Sequence, residues 1–251
     1  MSLAVVTGAS SGIGAATARL LAAEGWRVIV VARRADRLAE LAGELGSAVP
    51  VPVDLTDAEA PGRVRDAVEA EGGELKLLVN NAGAEWRSTF GDGGYENVRR
   101  TMDVNFDAVV RLTEALLPLL RASAPSALVN VSSVAGRVGR PRNSAYAASK
   151  FALAGWSEAV GLEEEPHGVH VGVVLPGFIS TDGFPHTGLR RSARTRWLVG
   201  SPEQVAKAIW RAGPGGRREV YVPRFYGFVP RARHLTPGLT RRALGGGRVK
   251  S

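Results

Sequence analysis

Residues 7–14 read T-G-A-S-S-G-I-G. Gly8, Gly12 and Gly14 there separate a β-branched run at Leu3–Thr7 from an alanine- and leucine-rich stretch at Ile13–Ala23. A chain that turns sharply from strand to helix needs backbone angles that a Cβ resists, and a backbone that approaches a ligand needs the same bare surface. The following helix aims its free N–H groups and positive dipole end at that turn, which suits a pyrophosphate. Strand, glycine turn and helix in this order form the context that a dinucleotide site requires. Gly8, Ser10, Ser11, Gly12 and Ile13 are therefore expected around the phosphates, and Gly14 is expected to let the helix pack close to the sheet.

Outward from this turn the same alternation continues. Strands are expected at Arg27–Ala32, Ala48–Val53, Leu75–Asn80, Ala127–Ser132, Val169–Leu175 and Glu219–Val222. V-I-V-V-A at 28–32 is apolar at successive positions, the pattern of a strand buried on both faces in a parallel sheet. Helical patterns fill Asp36–Leu45, Glu59–Ala70, Tyr95–Ala122 and Ser144–Glu164, with Gly25 placed as a C-terminal cap of the first helix. S-P-E-Q at 201–204 opens one more helix, with Ser201 as its cap and Pro202 at the first position. The fold class that results is α/β, one doubly wound parallel sheet of about seven strands with helices on both faces. The domain is expected over residues 1–222, with an irregular lid at 178–200 and a basic extension at 223–251.

Composition narrows the function classes. The chain has 251 residues, 45% hydrophobic and 22% charged, as in a folded globular protein. It has no cysteine, and its four histidines show no zinc spacing. A strand-like run follows Met1 directly, so neither a signal nor a transit peptide is expected, and the reading is a cytoplasmic protein. The net charge of +8 is concentrated at one end: Pro214–Ser251 holds nine Lys and Arg against a single acid, Glu219. Without interleaved aromatic platforms this tail does not read as a nucleic-acid site. It is expected to be a solvated end, with the substrate pocket, a second subunit or an anionic membrane surface as its other possible contacts.

Further motifs follow in order. N-N-A-G occupies 80–83, V-N 104–105, N-V-S-S 130–133, Y-A-A-S-K 146–150 and P-G-F-I-S-T 176–181. Together with the G-x-x-x-G-x-G spacing of the first turn, they resemble the short-chain dehydrogenase/reductase family over nearly the whole of residues 3–222. The resemblance implies a Rossmann-type oxidoreductase that moves a hydride between a nicotinamide cofactor and a ketone or secondary alcohol. It implies Asn105, Ser133, Tyr146 and Lys150 as the catalytic set. Ser133 polarises the substrate carbonyl, and Asn105 holds a water on the proton path. Tyr146 and Lys150, four residues apart, share a helix face, so the ammonium is expected to draw the phenol down from its ordinary value of about 10. Ser132 should point to the opposite face of its strand and be structural.

The remaining cofactor contacts are also implied by the resemblance: Asp54 and Leu55 beside the adenine, Asn81, Ala82 and Gly83 along the adenosine ribose, and Pro176, Gly177, Ile179 and Thr181 around the nicotinamide. The second strand ends at Ala32 with no carboxylate for the ribose hydroxyls, and Arg33 and Arg34 follow. NADP(H) is therefore the expected cofactor, with Arg33 on its phosphate and Arg34 as a second contact or solvent-exposed. Trp86, Phe178, Phe184 and Trp197 suggest an apolar substrate pocket, and Arg190, Arg191, Arg194 and Arg196 read as a solvated loop. The sparsely charged helix at 144–162 suggests a homodimer or homotetramer. A cofactor-binding regulator without turnover is the rival reading, disfavoured because all four catalytic positions are filled.

Overall fold

The computed structural model describes residues 1–180 and 198–245. Its main sheet contains β1 (Leu3–Thr7), β2 (Arg27–Ala32), β3 (Ala48–Pro52), β4 (Leu75–Asn80), β5 (Ser126–Val131), β6 (Val169–Pro176) and β9 (Glu219–Val222). They lie in the order β3-β2-β1-β4-β5-β6-β9, and every pairing is parallel. A short parallel pair, β7 (Phe178–Ile179) and β8 (Val199–Gly200), stands apart. Helices α1 (Gly12–Ala23), α2 (Ala35–Leu45), α3 (Ala60–Ala70), α4 (Phe90–Met102), α5 (Ala108–Ala122), α6 (Ser144–Glu164) and α7 (Pro202–Ala212) surround the sheet.

The apolar runs explain the layers. β1, β2 and β4 are buried almost throughout, because both of their faces are covered. On one face Leu21, Leu38 and Ile209 from α1, α2 and α7 pack on Val6, Val30 and Val79. On the other, Val64 from α3 and Leu112 and Leu116 from α5 pack on Val5, Ile29 and Leu78. The chain winds outward from β1 to β3, returns, and then winds the other way from β4. The strand order thus reverses between β1 and β4, and a crevice opens at their carboxyl ends.

Several helix ends follow the sequence signals. Ser201 and Gln204 form a reciprocal capping box at the start of α7, and Gly25 has a φ of 79° where α1 stops. The helix expected over Tyr95–Ala122 differs. It begins at Phe90, because the Thr89 hydroxyl accepts the Asp92 N–H, and Gly94, with a φ of 51°, kinks it. Between α4 and α5, Asp103–Asp107 form one turn of π-helix, in which the Ala108 N–H reaches back to the Asp103 carbonyl. Asn105 lies at the centre of that turn.

Beyond β9 the chain makes a 3₁₀ turn at Arg224–Gly227, then α8 (Phe228–Leu235) and α9 (Pro237–Gly245). Tyr226 is buried with Val134 and Val138, whereas Phe228, Leu235 and Leu239 are exposed. Among the described residues no helix is long and apolar enough to cross a membrane.

Candidate active site

The crevice is a cavity of about 320 Å³ at the ends of β1, β4, β5 and β6. Its floor begins with the glycine turn. Gly8 and Gly12 have φ values of 67° and 55°, which side chains rarely adopt. A Cβ on Gly14 would stand 2.3 Å from the Gly8 carbonyl oxygen, so glycine at that position lets α1 start against the turn. Thr7 ties this turn to the loop after β4: its hydroxyl accepts from the Asn81 and Ala82 N–H groups at 2.9 and 3.0 Å. The Asn81 side chain donates back to the Thr7 carbonyl at 2.9 Å, so its amide joins the two loops, while Ala82 and Gly83 present backbone to the cavity.

Beneath lies a buried polar network. Asn80 on β4 donates to Thr113 on α5 and to Asn130 on β5, both at 3.0 Å, and Asn130 donates to Ser157 on α6 at 2.8 Å. It fixes α6 against the centre of the sheet and so sets where Tyr146 and Lys150 emerge. Ser132 adds a second tie, its hydroxyl donating to the Lys150 carbonyl at 2.9 Å, which is the structural role expected of it.

Ser133, Tyr146 and Lys150 all line the cavity. The Ser133 hydroxyl faces the Tyr146 phenol and donates to the Pro176 carbonyl at 3.3 Å. Burial pushes that phenol up to about 12; the Glu85 carboxylate adds to the rise, while Ser133 and Arg140 oppose it. The depression expected from Lys150 is not seen. Its ammonium passes the ring at 5.8 Å from the centroid and donates to the Val131 carbonyl at 2.9 Å, and burial lowers it to about 8. Four-residue spacing puts both side chains on one face, but the longer lysine stem carries the charge beyond the phenol.

Asn105 is fully buried below the cavity. Its Oδ1 accepts from the Ala84 N–H at 2.8 Å, and its Nδ2 donates to the Ala84 carbonyl at 2.9 Å and to the Ser149 hydroxyl at 3.1 Å. The side chain therefore clamps the loop after β4 to α6. Gly83 sits over both groups: a Cβ there would meet Asn105 Oδ1 at 3.1 Å and Lys150 Nζ at 3.5 Å.

Pro176, Gly177 and Ile179 also line the cavity, and Gly177 is backed by Tyr226, whose ring would lie 2.2 Å from a Cβ at that position. Thr181, Phe184 and Trp197 and the arginines of 190–196 lie outside the described residues. At the other end, Ser10, Gly14, Arg33, Arg34, Asp54 and Leu55 stand away from the cavity lining. Arg34 donates to the Ser10 and Ser11 hydroxyls at 2.9 and 2.7 Å, so it braces the glycine turn. Arg33 is largely exposed, 3.6 Å from Asp54. Burial pushes the Asp54 carboxyl up, but the two Thr56 donors and Arg33 outweigh it and leave it below its ordinary value. Leu55 packs against the α3–α5 core layer.

Other wall residues carry no motif: Glu85, Arg87, Arg140 and Asn143. Glu85 and Arg87 come within four residues of N-N-A-G, and Asn143 stands three residues before Tyr146 at the start of α6, so their closeness to the motifs was the available signal. Trp86 is turned away, its ring 4.8 Å below the Arg100 guanidinium.

Comparison with known proteins agrees with this geometry. A sequence profile of the short chain dehydrogenase family matches residues 2–190. The chain is 36% identical to the uncharacterized oxidoreductase YxnA of Bacillus subtilis (strain 168), over 96% of its own length and 70% of that protein's. It is also 36% identical to the cis-4-hydroxycyclohexanecarboxylate dehydrogenase of Sinomonas cyclohexanicum, over 82% and 87% of the two chains. A crystal structure of a short-chain dehydrogenase from Streptomyces avermitilis superposes with a TM-score of 0.82 at 29% identity, covering 96% of this chain and 95% of that one. With the profile spanning residues 2–190 and these relatives covered over most of their length, the chain belongs to the short-chain dehydrogenase/reductase family.

Proposed function

We propose that this protein is an NADP(H)-dependent oxidoreductase that interconverts a ketone and a secondary alcohol. The observation that carries the reading is the gathering of Ser133, Tyr146 and Lys150 in one cavity with the bare backbone of Gly8, Gly12 and Gly83. That cradle fits a dinucleotide, since Cβ atoms on Gly8 or Gly83 would crowd Asn81, Ala82 and Asn105. The nicotinamide ring, when bound, supplies or accepts the hydride at the carbonyl carbon. Ser133 holds the substrate oxygen, and Tyr146 gives that oxygen a proton as the ketone becomes an alcohol, or removes it in the reverse direction. Pushed up to about 12, the phenol is protonated at neutral pH and so holds the proton the reduction needs, but it gives it up less readily than a phenol at its ordinary value. Lys150 supplies a positive charge beneath, and Asn105 keeps the Ala84 loop in place.

NADP(H) is favoured over NAD(H) because β2 ends at Ala32 without an acid and the largely exposed Arg33 provides a guanidinium for a 2′-phosphate, while Arg34 braces the glycine turn beside it. A charge-assisted contact contributes roughly 1.5–3 kcal/mol, about ten- to a hundredfold in discrimination. Initial rates with NADPH and NADH against a panel of ketones test both parts. Equal or better efficiency with NADH would refute the cofactor assignment. Absence of turnover in either direction across the panel would refute the oxidoreductase reading.

A homo-oligomer is part of the proposal. Ser144, Ala148, Phe151, Gly155, Ala159 and Leu162 form an exposed, largely small and apolar stripe along α6. Light scattering that shows only a 26.5 kDa species at micromolar concentration would rule it out.

A further inference from the structure

Four charged side chains line the catalytic cavity: Glu85 and Arg87 are matched to each other, Lys150 donates to the Val131 carbonyl at 2.9 Å, and Arg140 remains. The Glu85 carboxylate is only 8% exposed; its Oε1 accepts from Arg87 Nε at 3.2 Å and from the Asn143 amide. Arg140 differs. It is partly buried, and among the described residues its guanidinium has neither a hydrogen bond nor an ion pair. It lies 5.0 Å from the centroid of the Phe178 ring, and its charge is felt at both the Tyr146 and Tyr226 phenols. This contact with the Phe178 ring uses none of the guanidinium's N–H donors in a hydrogen bond to the described residues. A half-desolvated cation without a counter-ion is costly, and one beside the reacting groups is suited to a charged ligand. Arg140 also borders a second groove of about 710 Å³, bounded on its far side by Arg233 and Pro237 of the tail, so it stands where that groove joins the cavity.

We infer that Arg140 is the anchor for a carboxylate on the substrate, which makes the substrate class a keto acid and its hydroxy acid. The planar fork matches a carboxylate in two parallel hydrogen bonds, whereas the Ser133–Tyr146 pair takes the uncharged oxygen. Glu85 does not oppose this, because its charge is compensated by Arg87. The inference rests on the ketone–alcohol chemistry proposed above, and its test separates the two.

Calorimetry of the NADP⁺-saturated protein compares cyclohexanecarboxylate and pentanoate with their amides, for the unmodified chain and for Arg140→Met and Arg140→Lys. Circular dichroism and NADPH affinity establish that the variants are folded. The acids should bind at least about tenfold more tightly than the amides, a preference that collapses in Arg140→Met and survives in part in Arg140→Lys. Acids that bind no better than amides, or a preference unchanged in Arg140→Met, would overturn the inference. A kinetic arm sets keto acids against their methyl esters and against phosphorylated ketones. Preference for the acids, seen as a rise in KM with smaller change in kcat for Arg140→Met, supports the assignment. Preference for the phosphorylated ketones overturns the carboxylate in favour of phosphate. Arg140-dependent binding of the acids without any turnover would sustain the anchor and defeat the oxidoreductase reading.

Discussion

Replacing Asn105 with alanine separates two roles for this side chain, a clamp on the backbone and a holder of water. Three hydrogen bonds vanish: those with the Ala84 N–H at 2.8 Å, the Ala84 carbonyl at 2.9 Å and the Ser149 hydroxyl at 3.1 Å. In the present arrangement Oδ1 has one lone pair left and Nδ2 has no free proton, so the capacity for water is small. The Ala84 N–H and carbonyl would each lose a partner, at about 1–2 kcal/mol apiece, with some recovery from water because Ala84 borders the cavity. A loss of about 2–4 kcal/mol is expected, or roughly 5–15 °C in melting temperature for a chain of this size. Scanning fluorimetry and urea midpoints on the cofactor-free protein measure it. Asn105→Asp should lose a similar amount, since it keeps the acceptor but sets an oxygen against the Ala84 carbonyl. A fall of less than about 2 °C together with lost turnover would refute the clamp and leave the water-holding role.

Tyr146→Phe keeps the ring and removes the proton, so turnover should fall by at least ~10²-fold with NADPH affinity nearly intact; retained turnover would remove Tyr146 from the mechanism. Lys150 is lowered by burial to about 8, so between that pH and its ordinary 10.5 the unfolded chain binds more protons and stability rises with pH. Below pH 8 the folded protein carries the full cost of the buried ammonium. Lys150→Met should therefore lose turnover yet melt higher at pH 7, with the difference narrowing from pH 8 to 10.5; a lower melting temperature at pH 7 would contradict this. In Gly14→Ala the new Cβ meets the Gly8 carbonyl oxygen at 2.3 Å, backbone against backbone, so the turn must open. Overpacking of about 1–3 kcal/mol should weaken NADPH by about 5- to 150-fold by fluorescence titration, and unchanged affinity would show that the turn yields.

The sheet was legible because its strands are sandwiched. V-I-V-V-A has no polar face, and the observed ends of β3, β5 and β6 lie within one residue of where the β-branched runs stop. The break at 103–107 was not legible, since V-N-F-D has ordinary helical patterning and the π turn is held by a contact to Ala84, far away in sequence. The same division runs through the site. Motif residues announce themselves by spacing, Phe178 of P-G-F-I-S-T among them, whereas Glu85 and Arg140 come from two separate loops that only the strand order brings together. The reach of Lys150 past Tyr146 to Val131 depends on side-chain length and a carbonyl on another strand, neither of which spacing encodes. Residues 224–227 read as the start of a basic tail, yet Tyr226 fills the space behind Gly177.

The wide turn at Asp103–Asp107 has a consequence for how the protein could be improved or simplified. An α-helix completes a turn every 3.6 residues, so one residue removed rotates everything beyond it by about 100°. Deleting Phe106 would allow regular hydrogen bonding to run from α4 into α5, a local gain in helical order. To keep Leu112 and Leu116 in the core, the rotation would have to fall on the N-terminal side and swing Asn105 off Ala84. A library of single-residue deletions screened only for thermal resistance would be expected to enrich this change, and one screened for turnover to discard it. The turn is thus a place where selection for durability and selection for chemistry pull in opposite directions.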